Sequence, residues 1–215
     1  MPKTKEQKLT KMTDEAAKNA SQALTKLSGE KVTVEVSKTG ITKIQRKFPD
    51  IEPETIVAGI YLPITGDVKG ASLLIFPEKI AYTLCDMLVR RKAGTTRKLT
   101  ELDKSALKEV GNIICGSFLT VFSNTLKVKI VEHVPSFSFD MFGAVVDVII
   151  AGFAQKAEDA LVIEVKFVFE HANIKGYVVL IFGLEEMKVI MKALEMGGLN
   201  TLTLYCESKT SGAGE

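Results

Sequence analysis

Ser105, Glu109 and Asn112 stand at i, i+4 and i+7, and Pro135 follows Asn112 after 22 intervening residues. On an α-helix those three polar residues fall on one face, within roughly 60° of each other, and Gly116 continues the stripe. Ala106, Val110, Ile113, Ile114, Phe118 and Val121 cluster on the opposite side. The helix therefore packs by its apolar face and shows solvent a carboxylate and a carboxamide one turn apart. That pair supplies neither a nucleophile nor a strong base. It can orient a water and pair with a cation. An isolated Glu-x-x-Asn is ordinarily a solvated helix surface. The added Ser and Pro and the apolar back face set this one apart.

Other constellations are weak. His133 and His171 are the only histidines, and neither has a metal-ligand partner at a suitable spacing,. No serine or cysteine sits in a nucleophile elbow, and the glycines form no phosphate-binding loop. Met87, Met187 and Met191 lie at helical core spacing.

The elements that must position the polar stripe follow from periodicity. Residues 1–11 are polar and basic and read as a flexible N-terminus. Thr13-Asp14-Glu15 predicts the start of a helix running to about Leu27, stopped by Ser28-Gly29,. Val32, Val34 and Val36 alternate with polar neighbours as in a strand over 31–37. Ile56–Ile64 and Lys69–Phe76 read as a hairpin around Gly66-Asp67. Pro77-Glu78 opens a second helix to about Arg91, and 102–125 is the long helix that carries the stripe. Leu126–Val134 reads as a strand and Ser136–Phe153 as an extra helix. Leu161–Glu170 and Gly176–Phe182 form another hairpin, Glu185–Leu194 a helix and Asn200–Tyr205 a last strand. The polar, Gly- and Ser-rich 206–215 is expected to be a disordered tail.

This order repeats. Lys69-Gly70-Ala-Ser-Leu-Leu-Ile-Phe76 aligns with Lys175-Gly176-Tyr-Val-Val-Leu-Ile-Phe182 at an offset of 106, and the long helices align at 98,. Each half reads α-β-β-β-α, one about 12–92 and the other about 100–205, together a single domain over 12–205. The expected fold class is α/β (α+β): a pseudo-symmetric two-repeat fold with helices packed on one continuous, mainly antiparallel sheet. At the offset of 98, Glu109 maps to Lys11, Asn112 to Asp14 and Pro135 to Ser37. The charge is inverted at the first position and an anion replaces the amide at the second, so one functional site is expected, in the second half.

Composition narrows the partners. A net charge of +2 with 25% charged residues gives no reason to expect nucleic acid or an anionic membrane,. Three cysteines without a CxxC pair and without a secretory leader suggest reduced thiols in a cytoplasmic protein. The longest apolar stretch, Phe142 to Ala154, is too short to span a bilayer and is broken by Asp147, so no membrane insertion is expected,.

The Ser-x3-Glu-x2-Asn…Pro pattern resembles the phosphatase motif of the CheC/CheX/FliY family of chemotaxis proteins. Ser105-Ala-Leu-Lys-Glu-Val-Gly-Asn-Ile113, Asp140-Met-Phe-Gly-Ala144, Ala160-Leu-Val-Ile-Glu164 and Gly66-Asp67 before Gly70 extend the likeness over roughly 12–196. It implies a hydrolase that removes the aspartyl phosphate of the two-component response regulator CheY. Acyl phosphates are reactive, and phosphoryl transfer depends mostly on positioning and charge stabilisation. Asn112 would orient the water, Glu109 would dock on the receiver, Ser105 would let the partner approach, and Pro135 would shape the strand end beside the helix. The chain needs no cofactor of its own, because the partner receiver domain binds the Mg²⁺. The family usually carries the motif in both halves, and the loss in the first departs from that. The apolar insert from Phe139 to Val148 has two readings. One is a core-packed helix. The other, implied by the resemblance, is a docking surface for the receptor deamidase CheD, with Asp140, Phe142 and Asp147 on it. An alternative function is an adaptor that binds CheD and phosphorylated CheY with little turnover.

Overall fold

The computed structural model describes residues 5–29, 31–43, 51–153, 159–169 and 173–196. The elements are α1 (Lys5–Ser28), β1 (Thr33–Lys43), β2 (Ile56–Gly66), β3 (Gly70–Pro77), α2 (Glu78–Leu88) and α3 (Glu101–Leu126). They continue with β4 (Ile130–Glu132), β5 (Ser136–Met141), α4 (Phe142–Phe153), β6 (Asp159–Val168), β7 (Asn173–Phe182) and α5 (Leu184–Met196). Among the described residues the strands form one seven-stranded sheet, in the order β1-β6-β7-β3-β2-β4, with β5 also on β2. Every pairing is antiparallel. The fold is the α+β class the repeat predicts.

The repeat is visible as a pseudo-twofold axis. In the central β3·β7 ladder Leu73 pairs with Val179, its own equivalent at the 106-residue offset. Gly70 pairs with Phe182. A Cβ on Gly70 would sit 2.8 Å from the Phe182 ring, and one on the equivalent Gly176 would sit 2.6 Å from the Phe76 ring. Each glycine leaves room for the other half's phenylalanine.

The halves share the sheet by interleaving, which periodicity does not reveal. The first strand of the first half, β1, pairs with β6 of the second half. The first strands of the second half, β4 and β5, pair with β2 of the first.

The two sheet faces are covered differently. α1, α2, α3 and α5 cover one, over a core that includes Ile60, Leu62, Phe76, Phe118 and Phe182. Phe142 and Val145 of α4 cover the other, with Val57, Leu73, Ile75 and Tyr177. Among the described residues no helix is long and apolar enough to cross a membrane.

Three expectations need correction. First, α1 starts at Lys5, so Thr13 and Asp14 lie inside the helix and do not cap it, and Leu9 is buried. The apolar series Leu9, Met12, Ala16, Ala20 extends the packed face back past the first polar residues. Second, the strand expected over 126–134 is only Ile130–Glu132, because Lys127 takes a left-handed conformation (φ 58) that closes α3,. Third, 136–141 is strand, not helix. Phe137 and Phe139 pack on the core while Ser136, Ser138 and Asp140 are exposed, a period of two that the apolar run after it obscured,. The last strand expected over 200–205 and the tail over 206–215 lie outside the described residues.

Candidate functional site

α3 is held at its N-terminus by a capping box. The Thr100 hydroxyl accepts from the Asp103 amide at 3.3 Å, and the Asp103 carboxylate accepts from the Thr100 amide at 2.8 Å,. Arg91 donates to the same fully buried Asp103 at 2.6 Å. The equally buried Asp86 accepts from the amides of Thr95 and Thr96 and from the Thr96 hydroxyl. These bonds fix the connector between α2 and α3, and therefore the register of α3 on the sheet. Burial pushes both carboxyls up, but hydrogen bonds outweigh it and hold both below the usual range. The donors are Thr96, Thr95 and Gly94 for Asp86, and Thr100 and Arg91 for Asp103,.

The helix lies close to the sheet at Gly111, where any Cβ would clash with Ile60 of β2. Leu107, Val110, Ile114, Phe118 and Phe122 are buried against that face. Ala106 and Ile113 of the expected apolar side are half-buried. On the opposite side Ser105 and Glu109 are exposed and Asn112 and Gly116 half-buried. The structure therefore brings Ser105, Glu109, Asn112 and Gly116 onto one open ridge.

Pro135 is positioned by the sheet, in the segment that follows β4. The tip of the β2–β3 turn, where Gly66 has φ +116, pins the segment after α3. The Asp67 amide donates to the Lys129 carbonyl at 2.9 Å, and the Lys129 amide donates to the Asp67 carboxylate at 2.7 Å. β4 then runs along β2 with Ile64 opposite Glu132, and β5 follows with Tyr61 opposite Ser136. Three steps on β2 (64 to 61) face four on its partner (132 to 136), so one extra residue forms a bulge that contains Pro135. A proline suits this place because the ladder needs no amide donor there. The bulge also switches the alternation. Ile130, Phe137 and Phe139 all pack toward the helical face although their parity differs.

One residue at this ridge escaped the sequence reading. Glu132 reaches from β4 over the bare α-carbon of Gly116. A Cβ on Gly116 would lie 2.8 Å from its Oε1 and 3.2 Å from its Oε2. Burial raises the pKa of this carboxyl. The available signal was the Ile130/Glu132 alternation, which places both on the helix side. His133 faces the other way, with Nε2 2.9 Å from the Thr65 hydroxyl.

No nucleophile lies beneath the ridge. Burial pushes the Cys115 thiol up to about 12, as it does that of Cys85,. Among the described residues no cluster of His, Cys, Asp and Glu could hold a metal ion.

The remaining predicted residues sit apart from the ridge. Phe142 is buried in the smaller cluster under α4, on the opposite sheet face. Asp140 is exposed on β5, where its carboxylate accepts from the Met141 amide, and Asp147 is exposed on α4. On α1 the degenerate positions Lys11 and Asp14 are both exposed. Leu9, Met12, Ala16 and Ala20 are buried there just as Leu107, Val110, Ile114 and Phe118 are on α3, at the offset of 98. α1 thus presents the matching face without the Glu/Asn pair.

The chain is a pseudo-symmetric α+β sheet protein whose second-half helix exposes a Glu/Asn ridge, and known proteins share parts of this description. The CheC-like family model matches residues 102–138, the segment from the ridge helix through β5. Over 110 residues, 50% of this chain, the sequence is 34% identical to the CheY-P phosphatase CheC of Bacillus subtilis (strain 168). The chain spans about half the length of this curated relative, 53%. Thermotoga maritima FliY has the same fold, with a TM-score of 0.70 over 90% of this chain and 98% of that one, at 20% identity. A CheX–CheY–BeF3–Mg²⁺ complex from Borrelia burgdorferi matches at a TM-score of 0.51 and 19% identity, over 81% of this chain and 97% of the matched one. At those identities the two structures speak for the fold alone. The segment from the ridge helix through β5 thus resembles the CheC-like family and half of the chain resembles a CheC, on a fold shared with FliY.

Proposed function

We propose that the chain is a phosphatase acting on the aspartyl phosphate of a CheY-type receiver, with one site on α3. The observation that carries this reading is the open pairing of Glu109 and Asn112 on α3, inside the segment that matches the CheC-like family. The name of the Bacillus relative, a CheY-P phosphatase, supports it. So does the capture of a CheX with a CheY carrying BeF3 and Mg²⁺.

Asn112 accepts a hydrogen bond from a water through its amide oxygen and aims the water's lone pair in line with the scissile bond. The water oxygen bonds to phosphorus as the P–O bond to the partner's aspartate breaks, the electron pair returns to that carboxylate, and the water's proton passes to an oxygen of the phosphate released. An uncharged amide is the right group nearest a phosphoryl anion. Glu109, one turn away, pairs with a cation of the receiver and holds α3 in register. Ser105 keeps the ridge low enough for contact, and Pro135 holds the bulge beside it. Mg²⁺ belongs to the partner, so the chain brings no cofactor. The encounter takes place in the cytoplasm.

The test is the decay of the phosphorylated receiver with Mg²⁺, alone, with this protein and with Asn112→Ala. We expect acceleration by the unsubstituted protein and a loss of about a hundredfold or more in kcat for the variant, with binding retained. Equal acceleration by both would remove Asn112 from the chemistry. No acceleration by either would leave a binding protein.

An adaptor reading has one observation of its own. α4 exposes Asp147 and leaves Val148 76% exposed beside it. If CheD docks there, Asp147→Lys abolishes CheD binding while hydrolysis is unchanged. An intact CheD complex with that variant rejects the docking.

A further inference from the structure

Asn112 is bracketed. Glu109 lies on the turn before it, and the carboxylate of Glu132 lies over Gly116, on the turn after it,. With no side chain at 116 the carboxyl group rests over the helix, and a Cβ there would push it aside. Glu132 is exposed, so another molecule can reach it, and partial desolvation raises its pKa.

The groups around Glu132 offer it no counter-charge. Ile64 stands opposite it on β2. The Cys115 thiol faces it from α3 and is un-ionised, and His133 is turned to the Thr65 side. Among the described residues no lysine or arginine pairs with it and no donor hydrogen-bonds to it. An exposed carboxylate held over the helix without a counter-charge is free to pair with a cation delivered by another molecule,. A base role fits less well, since an anion aimed at the phosphoryl group is repelled.

We propose that Glu132 is a second acidic anchor. It takes a lysine or arginine of the phosphorylated partner and, with Glu109, fixes Asn112 over the phosphoryl group from both sides. The proposal rests on the phosphatase reading for the identity of that partner. Glu132 sits on a strand beside the Pro135 bulge, pinned by the Asp67–Lys129 exchange, so it marks position along α3 as well as charge.

The test compares the unsubstituted protein, Glu132→Gln and Asn112→Ala. Binding is titrated against a CheY receiver held active by beryllofluoride and Mg²⁺, and kcat and KM are measured on the phosphorylated receiver. Glu132→Gln keeps the shape and removes the charge. We expect its Kd and KM to rise together by about tenfold, with kcat nearly unchanged and a shallower dependence of binding on salt. Gly116→Ala, which pushes the carboxylate aside without removing it, gives an intermediate Kd. An unchanged Kd and salt slope in Glu132→Gln overturns the anchor, as does a lowered kcat at constant KM. Normal hydrolysis with that silent variant removes the anchor and keeps the phosphatase. Binding that Glu132→Gln weakens, in a protein that hydrolyses nothing, keeps the anchor and removes the phosphatase.

Discussion

In the proposed reaction a carboxylate and a carboxamide one turn apart divide the work of meeting an anion-bearing partner. The charge belongs where the partner is positive, and the amide belongs where it is negative. Exchanging those assignments is the sharpest test at the scale of single residues. Asn112→Asp puts at position 112 the residue type that α1 carries at Asp14, and it sets an anion against the phosphoryl group. We expect hydrolysis to fall by at least about a hundredfold, together with weaker binding, whereas Asn112→Ala loses rate alone. Stopped-flow decay of the phosphorylated receiver reads the rate, and titration of the beryllofluoride form reads the affinity. Glu109→Gln goes the other way: kcat is kept and Kd rises about tenfold. Glu109 and Asn112 were readable because helical periodicity alone puts them side by side. Glu132 was not. Its neighbour Gly116 is distant in sequence, and they meet only because β4 pairs with β2 under α3.

Helix α3 carries the ridge, and two devices fix where it lies. One is the close approach at Gly111. A mid-helix glycine ordinarily costs about 1 kcal/mol relative to alanine, and here the space it frees is filled by Ile60,. Gly111→Ala should therefore destabilise by about 1–3 kcal/mol and lift the ridge, lowering the melting temperature and raising KM together. The other device is the buried pair of aspartates at the α2–α3 connector. Both have folded pKa values below their unfolded ones, about 3.9,. The stability they contribute is present above that unfolded value and is lost as pH falls through the folded values. Chemical denaturation from pH 6 downward should show a fall in stability beginning near pH 4, and Asp103→Asn should flatten it while costing about 2–3 kcal/mol at neutral pH. A fall of the same size and position in the variant would mean that other carboxylates cause it. The helices of the repeat were legible at this scale from their apolar stripes. β5 was not, because five alternating residues run straight into the apolar α4, and its strand character comes from pairing with β2, a contact that no local pattern announces.

The molecule as a whole is two copies of one α-β-β-β-α unit, the second with its first strand divided into β4 and β5 and with α4 inserted, but the copies are not separable bodies. Each half lends its first strands to the other: β1 lies on β6, and β4 and β5 lie on β2. The axis between them runs through the Leu73·Val179 pair, where the two phenylalanines, Phe76 and Phe182, cross onto the other half's glycine. The two degenerate positions on α1 follow from this arrangement in a simple way. α1 still needs its apolar stripe, because it packs beside α3 over the shared core, and that stripe survives at the 98-residue offset. Nothing in the packing depends on Lys11 or Asp14, which are exposed, so the first site could lose its chemistry while the fold kept its symmetry. The repeat itself was legible from the 106-residue match. The exchange of strands was not, since an antiparallel sheet can be closed within each half or across the two with the same local sequence. The exchange makes a prediction that a side-by-side arrangement does not. Cut between the repeats, fragments 1–98 and 99–215 would each lack the strands that the other half lends to its sheet and expose an apolar edge. Each fragment alone should show little of the native circular dichroism and no cooperative melt. An equimolar mixture should recover both, with the activity proposed for the intact chain, at a concentration-dependent midpoint. Independent, cooperative folding of either fragment would mean that the strand exchange is not what holds the halves together.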